Sequence, residues 1–413
     1  MKKTTLKKYA ELLARCGVAV KKGDVVILQA GLDQPEFVAM CVEACYKAGA
    51  ARVIVEWSYQ PLARLNVRYQ SLRTLGTVDE IERARLQFRL DRNPAMLYLL
   101  SDDPDGLRGI NQEKQGKAMK LRYDVIKPFR QAMDNKYKWC IAAVPGEAWA
   151  RKVFPGVRTS AAVERLWQAI LFTSRVTDHD GHDLDPVAEW RAHNESFRDK
   201  CAYLNGLHIA SLEYKAANGT DFRVGLMPEG IFCGGSEKTL GGEEFNPNIP
   251  SEEIFTSPKK GVADGIVYAS LPLSYKGEMI ENFFVRFENG KVIEVGAEKN
   301  QALLEQMVHM DEGASMLGEC ALVPYTSPIR QSSITFYETL FDENAACHLA
   351  LGEGFTNCVR NYESYSREQL HEMGINESMI HVDFMIGTAD LTVTAVCENG
   401  DRVVVFRDGV WAI

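Results

Sequence analysis

The chain has 413 residues, 46% of them hydrophobic and 25% charged, with a formal net charge of −9. Such a length exceeds what one hydrophobic core usually organises, so two domains are expected, and the acidic balance argues against a nucleic-acid binder, which would carry a basic face. No window approaches the roughly 18 uninterrupted apolar residues of a membrane span. The opening MKKTTLKKYAELLARCGV lacks the apolar core and small-residue cleavage site of a signal peptide. Ten scattered cysteines with no CxxC among them read as reduced thiols, so a cytoplasmic protein is expected.

In chain order, residues 5–16 carry a helical pattern and DVVILQAG (24–31) is an apolar strand. Residues 34–49 have apolar side chains at helical spacing and stop at a glycine; ARVIVEWS (51–58), AMLYLLSDD (95–103) and KWCIAAVPG (138–146) are three further strands. Apolar strands separated by helices imply parallel pairing through crossovers, hence a doubly wound layer. No GxGxxG follows the first strand, so a dinucleotide fold is not read. After about residue 200 the rhythm changes. Asn-Gly pairs stand at 218–219, 289–290 and 399–400, the last two between clear strand runs, which is a strong hairpin signal. The expected fold class is therefore α/β: an N-terminal doubly wound α/β domain (1–185), then a C-terminal α+β domain rich in antiparallel hairpins (186–413).

The densest polar cluster, TDHDGHDLDP (177–186), looks like a metal site, but Asp185-Pro186 places a capping residue before a proline at a helix start, which describes a solvated connecting loop. Cys41 and Cys45 share a helical face and read as core. In HVDFMIG (381–387) the side chains of His381 and Asp383 alternate with Val382, Phe384 and Ile386, so in a strand they project to one side. A buried hydrogen-bonded pair and a metal grip both fit that dipeptide. Further back, NPNIPSEEIFTSP carries Glu252 and Glu253, SMLGECALVP carries Glu319, and TLFDENAACHLALGEGF supplies Asp342, Glu343 and His348. Glu253, Glu319, Glu343, His348, His381 and Asp383 make four carboxylates and two imidazoles. Gathered in one cleft, the carboxylates would repel one another and some would protonate; two divalent cations would cancel their charge, the inventory of a two-metal hydrolase.

These segments, IPSEEIFTSP, LGECALV, SPI…TLFDENAACHLALG and HVDFMIG, resemble the aminopeptidase T / aminopeptidase S family of metallo-aminopeptidases, and the stretches YAELLARCGVAVKKGDVV and NGTDFRVGL extend the likeness over nearly the whole chain. The resemblance implies a cytoplasmic exopeptidase that uses two divalent ions (Zn, Co, Mn or Mg) to remove N-terminal residues from short peptides with a free N-terminus. It further implies a homodimer enclosing the active sites, with the N-terminal domain as dimer contact and chamber wall and the C-terminal domain as metal-bearing catalytic domain. By position, Glu253, Glu319, His348, His381 and Asp383 correspond to the family's metal-site residues and Glu343 joins them. Glu253, Glu319 and Glu343 are the candidates for catalysis, Glu319 as a ligand shared by both ions, and Glu253 or Glu343 as the base. One position departs: where the family has a Tyr implicated in catalysis, this chain has Phe355, with Tyr362 and Tyr365 nearby in sequence. Two other readings stay open, a degenerate metal-retaining member without peptidase activity and a two-metal phosphoesterase, for which Arg330 is the close basic candidate.

Overall fold

The computed structural model describes residues 1–413. They form two compact units, the first Met1–Arg191 with Ser236–Ile249, the second Ala192–Gly235 with Pro250–Ile413. The sequence-based boundary at 185/186 therefore differs from the structural one in two ways. The division falls inside the helix Pro186–Gly206 rather than at its start. The stretch 236–249 belongs to the first unit, where Asn248–Ile249 adds a two-residue strand. A strand that short carries no periodic signal.

In the first unit β1 (Val25–Gly31), β2 (Arg52–Ser58), β3 (Ala95–Leu100) and β4 (Trp139–Ala143) make a parallel sheet. Its order is Asn248–Ile249, β4, β3, β1, β2. The chain leaves β1 toward β2 and then returns to the other side of β1 with β3, which is the reversal expected of a doubly wound layer. Val26, Ile27 and Leu28 are fully buried because helices cover such a sheet. The helix between β1 and β2, Pro35–Ala48, opens on a proline and closes at Gly49, whose φ of 117° is left-handed. A Cβ there would also meet the Lys22 backbone at 3.0 Å. Both conditions demand glycine.

The second unit holds two antiparallel sheets. In the larger, all three Asn-Gly pairs turn hairpins. Ile209–Lys215 pairs with Asp221–Leu226, Glu278–Glu288 with Lys291–Lys299, and Thr392–Cys397 with Arg402–Arg407. At the middle turn Asn289 and Gly290 both have positive φ, 50° and 77°, the conformation that Asn-Gly supplies most readily.

The smaller sheet runs β8, β7, β6, β5 and then the short strand Cys233–Gly234, where β5 is Ile254–Thr256, β6 Leu317–Leu322, β7 His348–Gly352 and β8 His381–Met385. Its register sorts the side chains. Cys320, Leu349 and Phe384 form one cross-strand row and Leu317, Leu351 and Val382 another. Both rows pack into the main core of the unit. On the opposite face stand the rows Glu319–Ala350–Asp383, Ala321–His348–Met385 and Gly352–His381. One irregularity makes this possible. Leu317 pairs with Leu351 but Glu319 pairs with Ala350, so β6 spends an extra residue, Gly318, at a bulge. Residues two apart normally share a face; the bulge sends Leu317 into the core and Glu319 to the other side. A Cβ on Gly318 would lie 2.1 Å from the Glu353 carbonyl oxygen.

Candidate metal centre

Four of the six ligand candidates thus stand on one face of one sheet, with small residues (Ala321, Ala350 and Gly352) in the positions between them. Glu253 comes from the segment that leads into β5, and Glu343 from a single turn, Glu343–Ala345, just before β7. Glu253, Glu319, His348 and Asp383 are buried, and His381 is partly open. Their donor atoms fall into two triads that share Glu319: Glu253 with Glu319 and His348, and Glu319 with His381 and Asp383, the ligand atoms of each triad within 4.8 Å of one another.

Both imidazoles are oriented from behind. His381 Nδ1 is 2.8 Å from the carbonyl oxygen of Glu353, and His348 Nδ1 is 3.1 Å from that of Ala346. A carbonyl only accepts, so each Nδ1 carries the proton and each Nε2 turns toward the carboxylates. His381 Nε2 lies 3.1 Å from Glu319 Oε2 and 3.3 Å from Asp383 Oδ1; His348 Nε2 lies 3.2 Å from Glu253 Oε2. Anchoring one ring nitrogen on a carbonyl while the other faces outward is the usual setting of a histidine ligand. His348 Nε2 and Asp383 Oδ1 are buried without a well-aligned hydrogen bond, a condition that is costly unless something else satisfies them. Oxygen-rich donors with one imidazole per triad suit a divalent ion such as Zn, Co or Mn. The residues fit the group.

Without an ion the protons redistribute. Burial pushes Glu319 up to about 7, aided by the charges of Asp383 and Glu253 and opposed by the hydrogen bond from His381. Burial and the charges of Asp383, Glu253 and Glu319 raise Glu343 well above the usual carboxylate range. For His348 burial disfavours the charged form, but Glu253 outweighs it and lifts the ring to about 9. His381 is raised likewise, against burial, by Asp383 and Glu319. Asp383 is held low: its burial is outweighed by the His381 charge.

The other sequence candidates fall elsewhere. Asp178 accepts the backbone N–H groups of Asp180 and His182 at 3.0 and 2.8 Å in a largely exposed turn, where the donor atoms of Asp178, Asp180 and His182 also lie within 4.8 Å of one another, and Asp185 caps the helix that follows through the Ala188 N–H. Cys41 and Cys45 are fully buried. Arg330 donates to the Tyr325 hydroxyl at 2.9 Å and stacks over that ring at 4.6 Å, which engages the phosphoesterase reading's one basic group. Phe355 lies beside the centre, its ring 4.9 Å from the His381 ring and 5.4 Å from Phe255, with its N–H donating to Ser257 Oγ at 2.7 Å. Tyr362 packs against the small cluster of Met227, Val359, Leu370 and Ile375, and Tyr365 is 38% exposed. Sequence reasoning passed over Asn344, although it sits inside a quoted motif. Its only signal is an uncharged polar residue between the acidic pair Asp342-Glu343 and the small apolar residues Ala345 and Ala346.

Residues 2–411 match the family described as thermophilic metalloprotease (M29). The chain is 37% identical over 408 residues to aminopeptidase AmpS of Bacillus subtilis (strain 168), with 98% of each chain covered. It is also 37% identical over 412 residues to aminopeptidase T of Thermus thermophilus, covering 100% of this chain and 99% of that one. The solved structure of wild-type AmpT from Thermus thermophilus superposes with a TM-score of 0.90 at 36% identity, over the whole of both chains.

Proposed function

The chain belongs to the thermophilic metalloprotease (M29) family, and from that premise we propose that it is a metal-dependent aminopeptidase using a pair of divalent ions to release N-terminal residues from short peptides. The observation that carries the reading is the pair of donor triads meeting at Glu319, each with an imidazole whose Nε2 is left facing carboxylates. In this reading Glu253, Glu319 and His348 would hold one ion, and Glu319, His381 and Asp383 the other. When bound, the ions supply Lewis-acid polarisation of the first peptide carbonyl and acidify a water.

The chain's own groups then divide the work. Glu343 takes the water proton and passes it to the leaving amine. It is preferred over Glu253 because Glu253 faces His348 at 3.2 Å, whereas Glu343 Oε1 is held by the Asn344 amide at 3.4 Å. The carbonyls of Glu353 and Ala346 keep the imidazoles in the tautomer that leaves Nε2 free to bind. A free peptide α-amino group is recognised within the same carboxylate cluster, and this would make the enzyme an exopeptidase. A homodimeric assembly enclosing the centre belongs to the same proposal, with light scattering as its check.

The test is elemental analysis of protein purified without added metal, beside hydrolysis of aminoacyl chromogenic substrates with and without chelator. About two ions per chain and chelator-sensitive release of the N-terminal residue are expected; no bound ion after reconstitution would refute the reading. Phe355 favours one alternative, a member that keeps its ions without peptidase turnover. Phe355→Tyr returns a hydroxyl next to His381, where a single donor to a developing oxyanion is worth about 10²–10³ in kcat. A rise in kcat is expected, and an unchanged kcat would remove Phe355 as the limiting position.

A further inference from the structure

Asn344 is fully buried, an unfavourable place for an amide unless its polar atoms are bonded. Its Oδ1 accepts the main-chain N–H of Glu252 at 2.6 Å, across 92 residues of sequence. Its Nδ2 donates to the Leu340 carbonyl at 3.0 Å and reaches Glu343 Oε1 at 3.4 Å. Its own carbonyl accepts the Ser327 hydroxyl at 2.6 Å. One neutral side chain therefore joins two pieces of chain. The first is Ser251–Glu253, which belongs to no helix or strand. The second is the single turn that presents Glu343.

These are the two members of the donor cluster that do not stand on the sheet face. Glu319, His348, His381 and Asp383 inherit their spacing from strand register. Glu253 and Glu343 do not; their segments lie outside the sheet and are tied to each other through Asn344. We infer that Asn344 is the positioning residue of the centre, setting the separation of Glu253 and Glu343 before an ion arrives. An amide suits the task because it donates and accepts at once without adding charge. An aspartate would keep the acceptor for the Glu252 N–H, lose both donors, and face Glu343 with a second acceptor. The inference rests on the metallo-aminopeptidase reading and deepens it.

The test titrates chelator-stripped protein calorimetrically with manganese(II), with thermal unfolding of the metal-free protein alongside. Asn344→Ala is expected to weaken manganese binding about 10- to 100-fold, the usual cost of removing a group behind a ligand. Asn344→Asp is expected to weaken it as well. Unchanged affinity in the folded Asn344→Ala protein overturns the inference, whatever its unfolding temperature, and leaves Asn344 as fold support only. Should Asn344→Ala fail to fold, Asn344→Asp against the parent chain decides in the same way. No manganese binding by the parent chain would refute the metal reading itself, and the inference with it.

Discussion

Glu343 occupies the least symmetrical place among the four carboxylates. Glu253 is set against His348, and Glu319 and Asp383 against His381, while burial and its acidic neighbours make Glu343 the group most reluctant to ionise. An ion beside it would reverse that reluctance and leave a base poised for proton transfer. Glu343→Gln keeps the shape and removes the proton acceptor. It is expected to lower kcat by about 10²–10⁴ with metal content unchanged, as steady-state kinetics and elemental analysis would report. A second outcome follows from protons alone. His348, ordinarily near 6.5, is raised to about 9 in the folded state, and Glu319, ordinarily near 4.5, to about 7. A group with a higher folded pKa holds its proton more tightly when folded. It therefore favours folding below its unfolded value and loses that contribution as pH rises through the folded one. Stability of the metal-free protein should fall between roughly pH 4.5 and 9, and the gap to the manganese-loaded protein should widen over the same window. Thermal unfolding across that range, with chelator or manganese, checks both; a gap that narrows would reject the argument.

At the level of elements, the bulge in β6 decides whether Glu319 reaches the centre at all. Gly318→Ala places a methyl against the Glu353 carbonyl and should destabilise by about 1–3 kcal/mol, as overpacking does. It should also weaken metal binding, because the carbonyl displaced is the one that anchors His381. Denaturant unfolding and manganese titration would show the two losses together. That bulge also marks where sequence reading stops. Alternation in HVDFMIG was enough to set His381 and Asp383 on one face, and apolar runs between helices were enough for β1–β4, because both signals are local. The hairpin at Asn218-Gly219 carried the same pair as the other two, but its flanks alternate less cleanly. The side to which Glu319 points depends on one extra residue that its partner strand β7 makes visible, and the role of Asn344 depends on a backbone N–H 92 residues away. Neither leaves a periodic trace.

Over the whole molecule, all six candidate ligands lie in the second unit, and the parallel sheet lies in the first. Ion binding should therefore raise amide protection selectively. In native-state hydrogen exchange, manganese is expected to slow β6, β7 and β8 by an amount that follows RT ln(1 + [L]/Kd), about 2.7 kcal/mol at 100 Kd. The β1–β4 amides should change little. Equal slowing in both units would show that the ion acts beyond the sheet that carries its ligands.

The shared position of Glu319 also has a temporal side. Its partner His381 is 62 residues further along the chain, and β8, which brings it, pairs only with β7. During synthesis from the N-terminus, a chain that ends before His381 has one donor triad complete in sequence and the other reduced to a single carboxylate. Closing so distant a pairing is slow compared with local helix formation. On the two-ion reading, the second triad is complete only once β8 has been made and has paired with β7, so loading of that triad would double as a record that this edge of the smaller sheet has closed.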